Sequence, residues 1–242
     1  MKYRSKKFVV TVLVTIVAFG VLLALFSPFF IIQDVVIQGT HRTHQSAVLE
    51  HLNIGHYTNI LLFNTAAARE RIMSDLYIGH VEFRRDLPGT LYVTIFERRL
   101  SAYVEHMPGS FLFLDDDGRV LEVRPYISES FPLLEGLNFS RFQLGEILEV
   151  ENMTDFTAVV HYTQLLSNYG LIHNISHINV ADPDNIRILV NYLEFHVGDT
   201  RDADEKVRTI AEILNELPDA GRIRGFVNIQ EIRPEFFLEL LQ

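Results

Sequence analysis

The chain opens on an unbroken apolar run. From Phe8 to Phe30 no position is charged, and most of the 23 residues are Val, Leu, Ile, Phe or Ala. As a helix this run would be roughly 34 Å long, enough to cross a hydrocarbon core of about 30 Å. The pattern then changes period. Asp34–Gln38 alternates and stops at Gly39, which predicts a short strand. Thr43 is placed to cap a helix with Val48, Leu49 and Leu52 on one face, and Thr65 to cap a second with Ala68, Ile72 and Leu76 aligned. Val81–Arg85 returns to strand alternation. Leu87-Pro88-Gly89-Thr90 predicts a type II turn with positive φ at Gly89, and Leu91–Phe96 reads as the return strand. The predicted order is β-α-α-β-β.

Beyond residue 100 the pattern is richer in strands. Phe111–Leu114 and Arg119–Val123 flank Asp115-Asp116-Asp117-Gly118, a hairpin turn signal that reads as solvated. Asp155 is placed to cap a helix carrying Val159, Tyr162, Leu166 and Tyr169, with Gly170 as its stop. His173–Val180, Ile186–Asn191 and Leu193–Val197 predict three strands. Asp202 and Glu205 have capping-box spacing before a helix that buries Val207, Ile210, Ala211, Leu214 and Leu217, with Pro218 after its end. Gly225–Ile232 and Phe236–Leu241 predict two closing strands. The expected fold class is α+β: a cytoplasmic tail at 1–7, one N-terminal transmembrane helix at 8–32, a β-α-α-β-β domain at 33–100, and a β-rich domain with two helices at 101–242.

Charge sharpens the first element. Net charge is −10, but Lys2, Arg4, Lys6 and Lys7 make the first seven residues basic. Asp34 is the first charge after the apolar run, so the positive-inside rule puts the N-terminus in the cytoplasm and the bulk outside. A cleaved signal peptide fits less well: the run is long, and Ala24-Leu25-Phe26 puts a bulky side chain where a small one is needed. The acidic balance argues against nucleic-acid binding. There is no cysteine, hence no disulfide, thiolate metal site or Cys nucleophile.

The β-α-α-β-β order resembles a POTRA domain. In detail, Val35-x-Ile37-x-Gly39, Asn59–Phe63, Val81–Arg98 with Leu87-Pro88-Gly89 inside it, Ala102–Val104, Phe113–Leu121 and Pro132–Gly136 resemble the FtsQ/DivIB family of bacterial cell-division proteins. Tyr77 stands where that family usually has Trp. The resemblance implies a POTRA domain followed by a β domain. It also implies a non-enzymatic, membrane-anchored scaffold at the division septum, binding the small bitopic coiled-coil proteins FtsB/DivIC and FtsL and helping to regulate septal peptidoglycan synthesis. POTRA alone would also allow a translocation or envelope-assembly factor.

Catalytic signals are missing. The acidic turn fails as a calcium loop, because Phe113 and Arg124 stand where acidic ligands belong. His41/His44 and His173/His177 are close pairs without metal-site spacing, the second pair on one face of a predicted strand. No nucleophile elbow, phosphate loop or dinucleotide motif occurs. No cofactor and no enzymatic activity are expected. Two binding surfaces are. Arg84, Arg85, Arg98 and Arg99 cluster on the predicted POTRA hairpin, either paired with Glu82, Asp86 and Glu97 or free to dock an acidic partner or anionic lipid. The terminal run is the stronger candidate. A last strand is often an edge that can accept a partner strand. Glu231-Ile232-Arg233 matches the family's Asp-Leu-Arg segment, which implies partner contacts at Glu231, Arg233, Phe236, Phe237, Leu238, Glu239 and Leu240. Phe236 and Phe237 either close the domain core or face that partner.

Overall fold

The computed structural model describes residues 2–25, 27–127, 130–217, 223–231 and 234–240, in two compact units spanning 1–97 and 98–242. The first helix, α1, covers Lys2–Leu25. Among the described residues no helix is long and apolar enough to cross a membrane.

The first unit has the predicted order: β1 (Asp34–Gln38), α2 (Gln45–Leu52), α3 (Thr65–Ile72), β2 (Ile78–Asp86) and β3 (Thr90–Glu97). The sheet order is β1-β3-β2, with β1 parallel and β2 antiparallel to β3. Alternate residues of β3, namely Leu91, Val93 and Ile95, share one core with Val48, Leu52, Ala68 and Ile72. Leu49 is 47% exposed, so the predicted helix face is rotated. The caps also differ. Asn64, not Thr65, caps α3 by accepting from Ala67 N at 3.1 Å. α2 starts after His44 with no side-chain cap.

Thr43 is used otherwise. The carboxylate of Glu97, at the end of β3, accepts hydrogen bonds from the backbone N–H groups of His41, Arg42 and Thr43 at 2.8–3.2 Å. One side chain thus fixes the whole approach to α2. Burial pushes this carboxyl up, but the N–H donors of Arg42, Thr43 and His41 outweigh it and hold it below the usual range. The β2–β3 turn is not type II either. Its Leu87–Pro88 peptide is cis, and Gly89 has no positive φ. A side chain at Gly89 would strike the carbonyl oxygen of Ile31, 2.7 Å from where its Cβ would lie.

Among the described residues the second unit is one open sheet of nine strands: β4 (Leu100–Met107), β5 (Ser110–Asp115), β6 (Val120–Arg124), β7 (Leu133–Glu135), β8 (Ile175–Asn179), β9 (Ile186–Val190), β10 (Leu193–Gly198), β11 (Ile223–Asn228) and β12 (Glu235–Leu240). Their order is β12-β11-β10-β9-β8-β7-β4-β5-β6. α4 (Met153–Asn168) and α5 (Ala203–Glu216) complete it. Val159, Tyr162 and Leu166 of α4 and Val207 and Ile210 of α5 join Val104, Leu114, Ile188, Phe195 and Val227 in the core. The cap of α4 is Asn152, accepting from Thr154 N, rather than Asp155. The capping box at α5 is not formed: Asp202 sits in the left-handed region without a side-chain cap bond. Ile213 is buried in the face where Ala211 and Leu214 were predicted, while those two are half-buried. His173 belongs to a 3-10 turn, Ile172–Asn174, so it does not share a strand with His177. Among the described residues no group of His and acidic side chains could hold a metal ion.

The Asp115–Gly118 turn is solvated only in part: Asp117 is exposed, Asp116 half-buried and Asp115 buried. Asp115 is 3% exposed. Its carboxylate accepts from Arg98 Nη1 at 2.8 Å, Asp117 N at 3.0 Å and Arg119 N at 2.8 Å. Gly118, at φ +78°, lies where a Cβ would come within 2.3 Å of the Phe156 ring on α4. Asp116 bears the cost. Its Oδ1 is buried with no hydrogen-bond partner among the described residues. Burial first, then Asp115 and Asp117, push its carboxyl up.

These two carboxylates should act on stability with opposite signs. Glu97 is lowered, so its contribution is complete above the unfolded value near about 4.3 and is lost as pH falls through the native one. Glu97→Gln should cost about 2 kcal/mol at neutral pH. Chemical denaturation should show the gap to the parent closing in acid. Asp116 is raised, so its ionisation opposes folding above about pH 4. Asp116→Asn should stabilise by about 1 kcal/mol at pH 7 and give no gain in acid. An unchanged gap across pH would overturn either assignment.

Candidate partner-binding edge

An open sheet has two end strands whose outer amide and carbonyl groups lack ladder partners. Here the two ends are treated differently. β6 is covered where it begins. Val120 N donates to Glu146 O at 2.9 Å, Gly145 N to Val120 O at 2.8 Å, and Leu148 N to Gly118 O at 3.0 Å. β12 has β11 as its only strand neighbour among the described residues. Its edge protection within its length is limited to two glutamates. Pro234 precedes it, no Lys or Arg interrupts it, and Glu235 and Glu239 are its only charges.

Register assigns the faces. Phe236 lies opposite Val227, Phe237 opposite Phe226 and Leu238 opposite Gly225. Val227 is fully buried, so Phe236 and Leu238 share the core-side face, and Phe237 and Glu239 lie on the other. Phe236, Phe237 and Leu238 are nevertheless 51%, 52% and 39% exposed, so neither Phe closes the core. On the outer face three rings stack in a row leading to the edge. His196 of β10 lies on Phe226 with centroids 4.8 Å apart and planes at 10°, and Phe226 lies on Phe237 at 4.5 Å and 18°. His196 Nε2 is 3.4 Å from the Glu194 carboxylate, which is also 3.6 Å from Arg187.

Gly225 makes the last pairing possible. A Cβ there would sit 2.0 Å from the carbonyl oxygen of Phe237, and its φ is +150°. Glycine inside a strand pattern signals such close backbone approach. That signal and the alternation of 223–228 were the available pointers to Gly225 and Phe226. Nothing local in the sequence pairs His196 with them, because the stacking needs the parallel β10–β11 register.

The other predicted site residues divide. Glu231 is exposed and, with Pro234, lines a small cavity of about 70 Å³ beside Lys206 and Thr209 of α5. Leu240 ends β12 opposite Ile223. Arg233 and Ile232 lie outside the described residues, as does Pro218. The arginine cluster is dispersed. Arg98 and Arg99 follow β3 rather than lying on the hairpin. Arg98 is consumed by buried Asp115, and Arg85 donates to the carbonyls of Ile60 and Phe63 at 2.8 and 2.9 Å. Arg84 is exposed and lies 3.9 Å over the Tyr92 ring, and Arg99 is exposed. Lys206, the single lysine after Lys7, is buried and donates to Asp199 O at 2.9 Å.

Comparison with known proteins follows the same outline. Residues 30–98 match the POTRA domain of the FtsQ type. Along the whole chain, the cell division protein DivIB of Clostridium botulinum is 24% identical over 242 residues, covering 98% of this chain and 93% of that protein. DivIB of Clostridium tetani is 22% identical over 204 residues, 84% of this chain and 77% of the relative. The cell division protein FtsQ of Mycobacteroides abscessus is 33% identical over 108 residues, 44% of this chain and 34% of the relative.

If Gly225 admits β12, Gly225→Ala should detach that strand while leaving the core folded. Hydrogen exchange should show amides 235–240 losing protection while those of β9 and β10 keep theirs. Unchanged protection at 235–240 would show that the close approach is not required.

Proposed function

We propose that this chain, a member of the FtsQ/DivIB family, is a bitopic, non-enzymatic scaffold of the bacterial division machinery, and that its edge strand β12 accepts a strand from a small coiled-coil partner of the FtsB/DivIC type held with an FtsL-type protein. The observation that carries this reading is the edge that no other described strand covers, with its row of stacked rings. Backbone bonds along β12 would supply the frame, and Phe236, Phe237 and Leu238 the side-chain selectivity. Covering the remaining exposed half of one Phe contributes about 1 kcal/mol. The relatives, named as cell division proteins, support the division role.

Membrane attachment rests on the sequence. The charge-free run from Phe8 to Phe30 follows four basic residues, and α1 occupies most of it. In this reading the tail 1–7 is cytoplasmic and both compact units lie outside, concentrated at the septum. The POTRA unit would dock other division proteins, with the exposed Arg84, stacked on Tyr92, as a candidate contact; Arg99 is a separate candidate on the second unit, and recruitment would be the route to regulating septal peptidoglycan synthesis. Arg233 and Glu231 remain proposed contacts beside the strand.

The full chain should bind the extracytoplasmic part of its FtsB/DivIC homologue in a titration. Truncation after Arg233 should abolish binding, and Phe237→Ala should weaken it about tenfold, the equivalent of about 1.4 kcal/mol. Equal binding by the truncated and full chains, both folded, would move the interface away from β12.

A further inference from the structure

The first unit carries a second surface, unrelated to β12. A cleft of about 550 Å³ opens between the segment leaving α1 and the helical side of the POTRA unit. Ser27, Pro28 and Ile31 line it from the segment, Tyr57 and Leu62 from the α2–α3 connection, and Arg71 from α3. Its rim is apolar and open to solvent: Tyr57 is 86% exposed, Leu62 56%, and Phe29, beside Pro28, 64%. In a chain of net charge −10, the described residues lining the cleft include one guanidinium and no carboxylate. Arg71 is held in place by donating from Nε to His51 O at 2.8 Å and from Nη2 to Leu52 O at 3.2 Å.

The covalent connection says what covers this cleft. Ser27 lies two residues after Leu25, the last residue of α1, and so no more than about 7 Å of chain beyond it. The charge-free stretch does not stop with the helix. It continues through Ser27, Pro28 and Ile31 to Gln33, and Asp34 is the first charge. A spanning α1 therefore delivers the cleft into the headgroup layer, where an amphipathic ring such as that of Tyr57 is favoured. The cation at its wall meets phosphate there.

We propose that this cleft seats an anionic phospholipid of the membrane that α1 spans, so that the POTRA unit is held against the outer membrane surface by its own side chains as well as by its tether. The inference rests on the anchor reading, and its test separates the two. The absence of cysteine permits single-site labelling of the full chain. An environment-sensitive fluorophore is attached at Leu62→Cys. Companion probes sit at Leu13→Cys, within α1, and at Phe96→Cys, at the far end of β3 from the cleft side of the sheet. Each labelled chain is reconstituted in nanodiscs of phosphatidylcholine, with or without phosphatidylglycerol, doped with a lipid spin-labelled near its headgroup.

The proposal expects loss of most emission at Leu62 in the phosphatidylglycerol discs, much less loss in phosphatidylcholine alone, and none at Phe96. The Leu13 probe should report insertion in both. Insertion at Leu13 with no quenching at Leu62, or with equal quenching in both lipids, overturns the lipid site and leaves the anchor standing. No insertion at Leu13 overturns both.

Discussion

An open sheet must end twice, and the second unit is organised by how each end is met. At β6 the backbone of residues 143–148 folds back and takes up the first part of the edge. At β12 no described residue does so. Covering both ends would make the sheet self-sufficient. Leaving one bare exposes a row of directional donors and acceptors of the kind that another strand can pair with. The ring stack from His196 through Phe226 to Phe237 runs across the outer face to that end of the sheet.

Two adjacent residues organise the rest. Glu97 gathers three backbone N–H groups ahead of α2, and Arg98 neutralises a carboxylate buried beneath the β5–β6 turn. Each works inside its own unit. Losing Arg98 would strand the buried Asp115 carboxylate, which is costlier than the modest net gain of making the bond. The pair explains why Glu-Arg at the end of the POTRA hairpin is not a surface decoration, and why the neighbouring arginines cannot be read as one patch.

The sequence carried most of the architecture. The strand alternation at 34–38, 81–85 and 91–96 and the helix spacing of 159–166 were local, and the elements formed where the pattern put them. Boundaries and caps were less legible. Asn64 and Asn152 each lie N-terminal to the residue that the spacing favoured, and the choice between neighbouring polar residues depends on backbone angles that no pattern encodes. The acidic turn read as solvated because three consecutive aspartates look like surface. Its burial comes from α4, some 40 positions later in the chain, which packs Phe156 on Gly118. The candidate edge was legible as a run of apolar residues, but its openness was not, because that is a property of the whole strand order.

The placement of Lys206 has a chemical consequence. With that ammonium bonded to Asp199 and only 8% exposed, no lysine after Lys7 offers its amine to solvent. Every exposed side-chain cation that does not depend on histidine protonation is therefore a guanidinium beyond that point: planar, permanently charged and beyond the reach of acylation. Amine-directed modification, whether by an enzyme or by a laboratory reagent, has almost nothing to act on there. The positive charges exposed there are thus fixed against amine chemistry, and histidine protonation is what can add to them.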